Sequence, residues 1–193
     1  EGIALKTLTG SDGNVTGATL SDGQELDVDF VVVGVGIKPA TALAEAAGVE
    51  IENGVKTDAH CRTSDPNIWA AGDCASFPFK GAQIRLESVP NAIDQGEVVA
   101  ENMLGANKTY VAAPWFWSDQ YDLKLQIAGL NTGFDNVVVR DTGRGISHWY
   151  YAGDELRAVD AMNEPRGFMI GKRLIEAGKS PPKDVVADPK GDL

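Results

Sequence analysis

The sequence is poor in the side chains that carry most thiol and metal chemistry, with two cysteines and two histidines among 193 residues. Cys61 and Cys74 are too far apart to form a CxxC redox motif, and too few to build a zinc site. His60 and His148 each stand alone, and nothing near either in sequence completes a catalytic triad. We therefore expect incidental thiols, and histidines that pack or lie at the surface.

Positive charge and long apolar runs are also scarce. The sequence has 17 lysines and arginines against 28 aspartates and glutamates, giving a net charge of −11. This balance argues against binding to nucleic acid. No apolar run approaches the roughly 18 residues that a membrane span needs, and the opening residues lack the basic region of a signal peptide. The sequence thus predicts a cytoplasmic protein with no nucleic acid or membrane partner.

The first part of the chain alternates strand and helix patterns. Residues 3–8 and 15–20 alternate apolar and polar side chains around a glycine-rich turn, which predicts a β-hairpin. Residues 29–36 form an almost unbroken β-branched run, typical of a strand buried on both faces of a parallel sheet. A helix at 43–47 and a strand at 55–57 follow. This alternation predicts an α/β sheet.

Residues 63–73, with the sequence T-S-D-P-N-I-W-A-A-G-D, hold the most informative pattern. Turn-forming residues lead into a short buried strand predicted at 68–71, and Gly72 and Asp73 follow at its carboxyl end. Ligands of open α/β sheets bind at such ends, so Asp73 could accept hydrogen bonds from ligand hydroxyls. It could equally be a surface carboxylate that caps the next turn.

A helix is predicted from Val89 to Leu104, after an aromatic, partly exposed loop at 77–81. Ser88 or Glu87 can cap this helix, and Pro90 suits its first turn. The apolar residues of the helix predict its buried face: Ala92, Ile93, Val98, Val99 and Met103. Free N–H groups at its start could receive an anionic oxygen.

The pattern changes after a linker at 105–114. A stretch dense in aromatics at 115–121 precedes four predicted antiparallel strands at 123–127, 136–140, 146–151 and 155–162. Asn163 is predicted to cap a last helix that ends at Gly178, and the tail at 181–193 is predicted to be irregular. The pattern favours core packing for Trp115 and Trp117, with cofactor contact as the alternative.

Three motifs carry a family resemblance. Residues 63–73 resemble the second flavin-binding signature of the two-dinucleotide-domain flavoprotein reductases, the superfamily of glutathione reductase. R-L-E-S-V-P-N-A at 85–92 and P-W-F-W-S-D-Q-Y at 114–121 are similar to the ferredoxin reductases of bacterial Rieske-type dioxygenases and related monooxygenases. That group includes the putidaredoxin and rubredoxin reductases.

The resemblance implies a set of cofactor-binding residues, no catalytic side chain and no metal. The residues implied for flavin adenine dinucleotide (FAD) are Gly72, Asp73, Val89, Pro90, Asn91 and Trp117. Those implied for NADH are Gly36, Ile37 and Glu87. The implied reaction is hydride transfer from NADH to FAD, followed by two one-electron transfers to a [2Fe-2S] ferredoxin. Lys80, Arg85 and Lys124 are candidates for a basic ferredoxin-facing patch, and a homodimer is a candidate assembly.

The sequence departs from the family at its glycine motif. Gly34-Val35-Gly36-Ile37-Lys38-Pro39 lacks the third glycine of GxGxxG, and the two amino-terminal phosphate-binding turns are missing. We expect a fragment that binds FAD and NADH poorly without the amino-terminal part of the same reductase. Its expected parts are the end of an NADH domain (1–57), the returning part of an FAD domain (58–110) and a carboxyl-terminal domain (111–193).

The fold expected from this division is α/β, or α+β overall: remnants of two dinucleotide-binding βαβ domains, then an antiparallel sheet with a helix. Two alternatives stay open at this point. One is an interaction or dimerisation module that has lost its cofactor. The other is a different flavin-dependent NAD(P)H oxidoreductase of the superfamily, such as a peroxide or disulfide reductase, which would need a redox cysteine.

Overall fold

The computed structural model describes residues 2–191 and 193, and the chain divides into two compact units, Glu1–Lys38 and Pro39–Leu193. The first unit is an antiparallel sheet of β1 (Leu5–Ser11), β2 (Asn14–Leu20) and β3 (Glu25–Asp27), in that order. The predicted hairpin is confirmed. Asp12 and Gly13 at its tip have φ of 51° and 81°, the left-handed conformation that a tight hairpin turn requires.

The strand predicted at residues 29–36 is wrong for this structure. The segment has no regular secondary structure, and Phe30, Val32 and Val35 are 76%, 85% and 88% exposed. A buried parallel strand needs a neighbour on each side to pair with its N–H and C=O groups. No described strand pairs with this segment, so its β-branched composition alone does not make it a strand.

The second unit begins with a small mixed sheet. Helix α1 (Ala42–Ala46) precedes this sheet, which consists of β4 (Val55–Lys56), β5 (Ala75–Phe79) and β6 (Ala82–Ile84). Strand β5 lies in the middle, parallel to β4 and antiparallel to β6. The loop predicted at 77–81 is therefore wrong for residues 77–79, which belong to β5, whereas Lys80 and Gly81 form an exposed turn. Phe77 is 2% exposed and packs edge-on against Tyr110, with ring centroids 5.3 Å apart, so a distant aromatic ring stabilises this strand.

The strand predicted at 68–71 is also wrong. Within the described part of the chain, the only pairing there is one antiparallel bridge between Arg62 and Trp69, followed by a 3₁₀ turn at Gly72–Cys74. The Ile68 carbonyl accepts from both the backbone N–H and the hydroxyl of Thr63, at 3.1 and 2.8 Å. These bonds within the turn replace the sheet pairing that a strand would make.

Helix α2 (Val89–Met103) starts as predicted. Ser88 is its N-cap, with Oγ accepting from Asn91 N at 3.3 Å, and Pro90 lies in the first turn. The predicted buried face is wrong in part, because Ile93 and Met103 are 56% and 59% exposed. The buried side chains of α2 are polar: Asn91, Gln95 and Asn102.

The segment after α2 has no regular secondary structure, but side chains fix it in place. The Asn102 amide donates to the carbonyls of His60 and Lys108, at 2.9 and 2.8 Å, and its oxygen accepts from Lys108 N. The predicted linker is thus an ordered connection.

No helix in the part of the chain that the structure describes is long and apolar enough to cross a membrane.

The last part of the chain is an antiparallel sheet, and the four strands predicted there are confirmed. They are β8 (Leu123–Gly129), β9 (Asn136–Asp141), β10 (Ile146–Ala152) and β11 (Glu155–Met162), and the aromatic stretch before them forms a fifth strand, β7 (Trp115–Gln120). Their order is β7-β8-β11-β10-β9. Helix α3 (Pro165–Glu176) packs on one face of this sheet, where Ile170, Leu174 and Ile175 contact the core of Trp149, Tyr151 and Val159.

The predicted cap of α3 is wrong. Glu164 is the N-cap, and its carboxylate accepts from Gly167 N. Asn163 instead adopts a φ of 50°, and its side chain accepts from Lys124 N and donates to the Asp122 carbonyl. Asn163 therefore ties the end of β11 to the β7–β8 turn, a long-range role that its position before Pro165 does not reveal.

The tail is more ordered than predicted, because it contains helix α4 (Lys183–Ala187) and is held by a buried arginine. Arg140 on β9 is 8% exposed. Its guanidinium donates to five carbonyls of the tail, those of Val185, Val186, Asp188, Pro189 and Gly191. One side chain thus replaces the sheet pairing that the tail lacks.

We expect Arg140→Met to lower the free energy of unfolding by about 2–3 kcal/mol, because it leaves several tail carbonyls without a donor. Urea unfolding measures this loss. Arg144→Met is the matched control, since Arg144 is exposed, and it is expected to change stability by less than about 0.5 kcal/mol. Equal losses for the two variants would contradict the role of Arg140.

Stability should also fall in alkali. Burial raises the pKa of Tyr110 and of Tyr151 to about 12, from the usual 10.0, with Asp94 and Cys61 adding to the rise at Tyr110. The unfolded state loses these protons first as the pH rises, so their contribution is intact below pH 10.0 and is lost between there and about 12. Urea unfolding at about pH 9 and about pH 11 checks this. A Tyr110→Phe/Tyr151→Phe double variant with an undiminished pH dependence would contradict it.

Candidate functional site

The turn at Gly72–Cys74 is fixed to helix α2 through Gly72. Gly72 is buried with a φ of 75°, and its N–H donates to Gln95 Oε1 at 2.7 Å. A Cβ at this position would lie 3.3 Å from the Ala92 Cβ. The conformation and the close approach both favour glycine, so the turn can lie directly on the helix.

Asp73 follows in the same turn with its side chain exposed. Its carboxylate has no hydrogen-bond or ion-pair partner within residues 2–191 and 193, and it does not cap the turn that follows. Its backbone carbonyl accepts from Arg85 Nη1 at 2.8 Å. The backbone of Asp73 is thus held while its carboxylate is left for a ligand.

Arg85 links two of the residues that the sequence implicated. Besides the Asp73 carbonyl, it contacts Glu87, with Nη2 2.7 Å from Oε1. Its side chain is 9% exposed, and a Cβ at Gly54 would lie 2.7 Å from its Cδ. The sequence pattern placed Arg85 among the surface cations. Its burial follows from the glycine at position 54, a signal that is distant in sequence.

The first turn of α2 holds Val89, Pro90 and Asn91, which differ in how exposed they are and in which of their hydrogen-bonding groups are already paired. Val89 is 58% exposed, whereas Asn91 is 5% exposed. The Asn91 amide donates to the Leu86 carbonyl at 3.1 Å and accepts from Tyr110 Oη at 2.7 Å, so this side chain is fully committed to the fold. Pro90 has no N–H, and Ser88 satisfies that of Asn91. The first-turn N–H of Val89 has no acceptor among the residues that the structure describes.

The aromatic pair on β7 has one residue that packs inward and one that is partly exposed. Trp115 packs against the buried Phe168 of α3, with centroids 6.2 Å apart. Trp117 stacks on Trp115 at 5.5 Å and 27° and is 37% exposed. Strand β7 and the turn at Gly72–Cys74 both pack against α2. Trp115 therefore anchors Trp117, which presents ring surface to a ligand.

Gly36 and Ile37 lie in the other compact unit, outside any strand. Gly36 has a φ of 103°, with no atom within 4 Å of where its Cβ would be, and Ile37 is 57% exposed. Neither exposure nor backbone conformation decides whether these two residues bind NADH, so their implied role stays a prediction.

The two cysteines do not form a disulfide. Both are free thiols, and Cys61 is buried with a φ of 64°. Burial, and secondarily Asp58, raises the pKa of Cys61 to about 11, so it remains protonated at neutral pH. Among residues 2–191 and 193, no group of three or more His, Cys, Asp or Glu is placed to hold a metal ion.

The donors and acceptors at this site fit part of a flavin. A carboxylate can accept from ribityl hydroxyls, a helix-terminal amide can donate to a carbonyl of the ring, and an exposed indole can stack. A dinucleotide also needs a phosphate-binding glycine turn, and the sequence contains no GxGxxG. The described residues thus supply one side of such a site.

Two family models together match most of the chain. The model of pyridine nucleotide-disulphide oxidoreductases matches residues 2–96, and the reductase C-terminal model matches residues 115–193. The chain belongs to the pyridine nucleotide-disulphide oxidoreductase family, with a reductase C-terminal domain following the first match. The resemblance seen in residues 63–73, 85–92 and 114–121 is confirmed, as is the mixed α/β fold with its antiparallel carboxyl-terminal sheet.

Three curated relatives show how the chain compares with whole ferredoxin reductases. It is 39% identical to rhodocoxin reductase of Rhodococcus erythropolis over 98% of this chain and 45% of that protein. It is 44% identical to a ferredoxin–NAD(P)(+) reductase of Sphingomonas over 88% and 42%, and 41% identical to putidaredoxin reductase of Pseudomonas putida over 83% and 39%. The chain therefore spans less than half the length of each of these ferredoxin reductases.

Solved structures of ferredoxin reductases agree. The ferredoxin reductase of the CYP199A2 system from Rhodopseudomonas palustris matches with a TM-score of 0.89 and 40% identity, over 99% of this chain and 48% of that one. The covalent putidaredoxin reductase–putidaredoxin complex matches with 0.87 and 37%, over 97% and 46%. The second structure holds putidaredoxin reductase joined covalently to putidaredoxin.

Replacing Gly72 should disturb the contact with α2. We expect Gly72→Ala to lower the free energy of unfolding by about 1 kcal/mol more than Gly81→Ala does, because the new methyl group at position 72 would press against the Ala92 side chain. Gly81 is the matched control, with a φ of 85° and no atom within 4 Å of where its Cβ would lie. Urea unfolding of both variants measures the difference, and equal losses would show that the contact is loose.

Proposed function

We propose that the chain is the carboxyl-terminal portion of an NADH:ferredoxin reductase, which passes electrons from NADH through FAD to a [2Fe-2S] ferredoxin of an oxygenase system. The observation that carries this proposal is the Asp73 carboxylate, unpartnered among the described residues, on a turn fixed to α2. The ferredoxin reductases to which the chain is similar, and the putidaredoxin reductase–putidaredoxin complex, support the reaction and the kind of partner.

In this proposal the chain binds and orients the flavin. Asp73 accepts hydrogen bonds from the ribityl hydroxyls, with Gly72 allowing the close approach of the backbone. The Val89 amide, at the positive end of the α2 dipole, donates to the pyrimidine carbonyl and so favours the reduced, more negative ring. Trp117 covers a face of the ring. Bound FAD supplies the chemistry, accepting a hydride and releasing single electrons.

The residues proposed for NADH are Gly36 and Ile37 in the first unit and, separately, Glu87 in the second. Of these, Glu87 has a fixed side chain, because the buried Arg85 holds it at 2.7 Å. A held carboxylate can accept from a carboxamide without losing side-chain entropy on binding. We propose NADH as the donor, with Gly36 and Ile37 offering backbone to the ring.

The amino-terminal part of the same reductase is the proposed structural partner. The exposed β-branched run at 29–36 supports this, since it has the composition of a buried parallel strand and no described strand beside it. We propose that strands of the parent reductase pair with it. The division into 1–57, 58–110 and 111–193, the homodimer and the cytoplasmic location stay predictions.

Production of the full-length parent tests the function. We expect a yellow protein with one FAD per chain that oxidises NADH only when a [2Fe-2S] ferredoxin or an artificial acceptor is present. Absorbance of the flavin and of NADH measures both properties. A parent that stays colourless after reconstitution with FAD would refute the proposal.

Asp73→Ala in that parent should weaken FAD binding by about tenfold or more, since it removes hydrogen bonds to a charged acceptor. The dissociation constant follows from titrating the apoprotein with FAD and recording flavin fluorescence. Asp122→Ala is the matched control, because Asp122 is also an exposed carboxylate in a turn. If the two variants bind FAD equally well, Asp73 is only a surface residue.

A further inference from the structure

Gln95, in the second turn of α2, is a buried polar residue to which the sequence assigned no role. It is 0% exposed. Its Oε1 accepts from Gly72 N at 2.7 Å, and its Nε2 is buried without a hydrogen-bond partner among the described residues. One end of the carboxamide is thus engaged and the other is not.

The orientation of this carboxamide is fixed by its partner. The Gly72 N–H can only donate, so the oxygen of Gln95 must face it and Nε2 must point elsewhere. Leaving a buried donor unpaired costs free energy that an apolar side chain of similar size would avoid. Gln95 therefore costs stability for the sake of a single bond to the backbone of the turn.

The hydrogen bond to Gln95 is made by Gly72, the residue immediately before Asp73. The Gly72 amide is adjacent to the residue whose carboxylate is exposed, and a Cβ at Gly72 would lie 3.3 Å from the Ala92 Cβ of α2. Van der Waals contact limits how close the turn can come, whereas a hydrogen bond fixes its direction. Gln95 thus sets the direction of the Asp73 backbone relative to the start of α2.

We propose that Gln95 is a positioning residue for the flavin, acting through the Gly72 amide to hold Asp73 in register with the amino terminus of α2. This inference rests on the proposed function. It assigns Gln95 no contact with the flavin itself, because the side chain is buried beneath the turn. Its effect is to reduce the reorganisation that the turn would otherwise undergo when the ribityl chain binds.

The test compares two glutamines in the full-length reductase. Gln95→Met removes the acceptor but also removes the unpaired donor, so we expect the apoprotein to keep its unfolding midpoint while FAD binds about tenfold more weakly. Gln83→Met is the matched control. Gln83 Nε2 donates to the carbonyls of Thr57 and Ser76, at 3.1 and 2.7 Å, so this variant should lower the midpoint and leave FAD affinity unchanged.

Gln95→Glu serves as the conservative variant, because it keeps an oxygen that can accept from Gly72 N. It is expected to bind FAD within about threefold of the wild type. Flavin fluorescence gives the dissociation constants, and the visible circular dichroism of bound flavin should change in Gln95→Met alone. Two results would overturn the role of Gln95. One is a Gln95→Met variant with the FAD affinity and flavin dichroism of the wild type. The other is a Gln95→Glu variant that binds FAD as weakly as Gln95→Met does.

The two proposals fail differently. A wild-type parent that binds no FAD refutes the proposed function and this inference with it. A wild-type parent that binds FAD tightly, with Gln95→Met losing stability but no affinity, refutes the inference alone and makes Gln95 a structural residue.

Discussion

The bond from Gly72 N to Gln95 Oε1 is the contact on which the candidate site depends. It fixes a turn that carries an exposed carboxylate to the helix whose first amide is free for a ligand. The Asp73 carbonyl accepts a hydrogen bond from Arg85, and Arg85 also forms an ion pair with Glu87. The backbone of Asp73 and the side chain of Glu87 are thereby linked through the same arginine, so the two acidic residues are held near one another without a ligand.

The carboxyl-terminal sheet contributes to the same site by a different route. Trp115 packs on Phe168 of α3, and Trp117 stacks on Trp115. Because β7 also packs against α2, the core beneath α3 determines where the outer indole lies. The exposed ring surface of Trp117 is thus supported by core residues beneath it, so core packing of Trp115 determines the position of its exposed neighbour.

Burial in this fold is strongly polar around α2. Asn91 joins Leu86 to Tyr110, Asn102 joins His60 to Lys108, and Gln95 holds Gly72. Such side chains fix loops that have no strand or helix of their own, because an amide can donate and accept at once. Arg140 does the same for the tail. The loops that carry or support the candidate site are therefore ordered by single buried polar groups.

The sequence by itself determined those features whose partners are near in the chain. The Asp12-Gly13 turn, the Ser88 cap with Pro90, and the consecutive strands β9, β10 and β11 were all predictable, since each signal is satisfied within a few residues or by the next strand in the chain. The family and the Gly72–Asp73 motif were also readable from the sequence. Only the tertiary structure decided that Phe77 lies in a strand, that Asn163 ties two turns, and that α2 buries amides. Residues 29–36 make the reason plain: burial and parallel pairing require a partner distant in the chain, and composition cannot supply one.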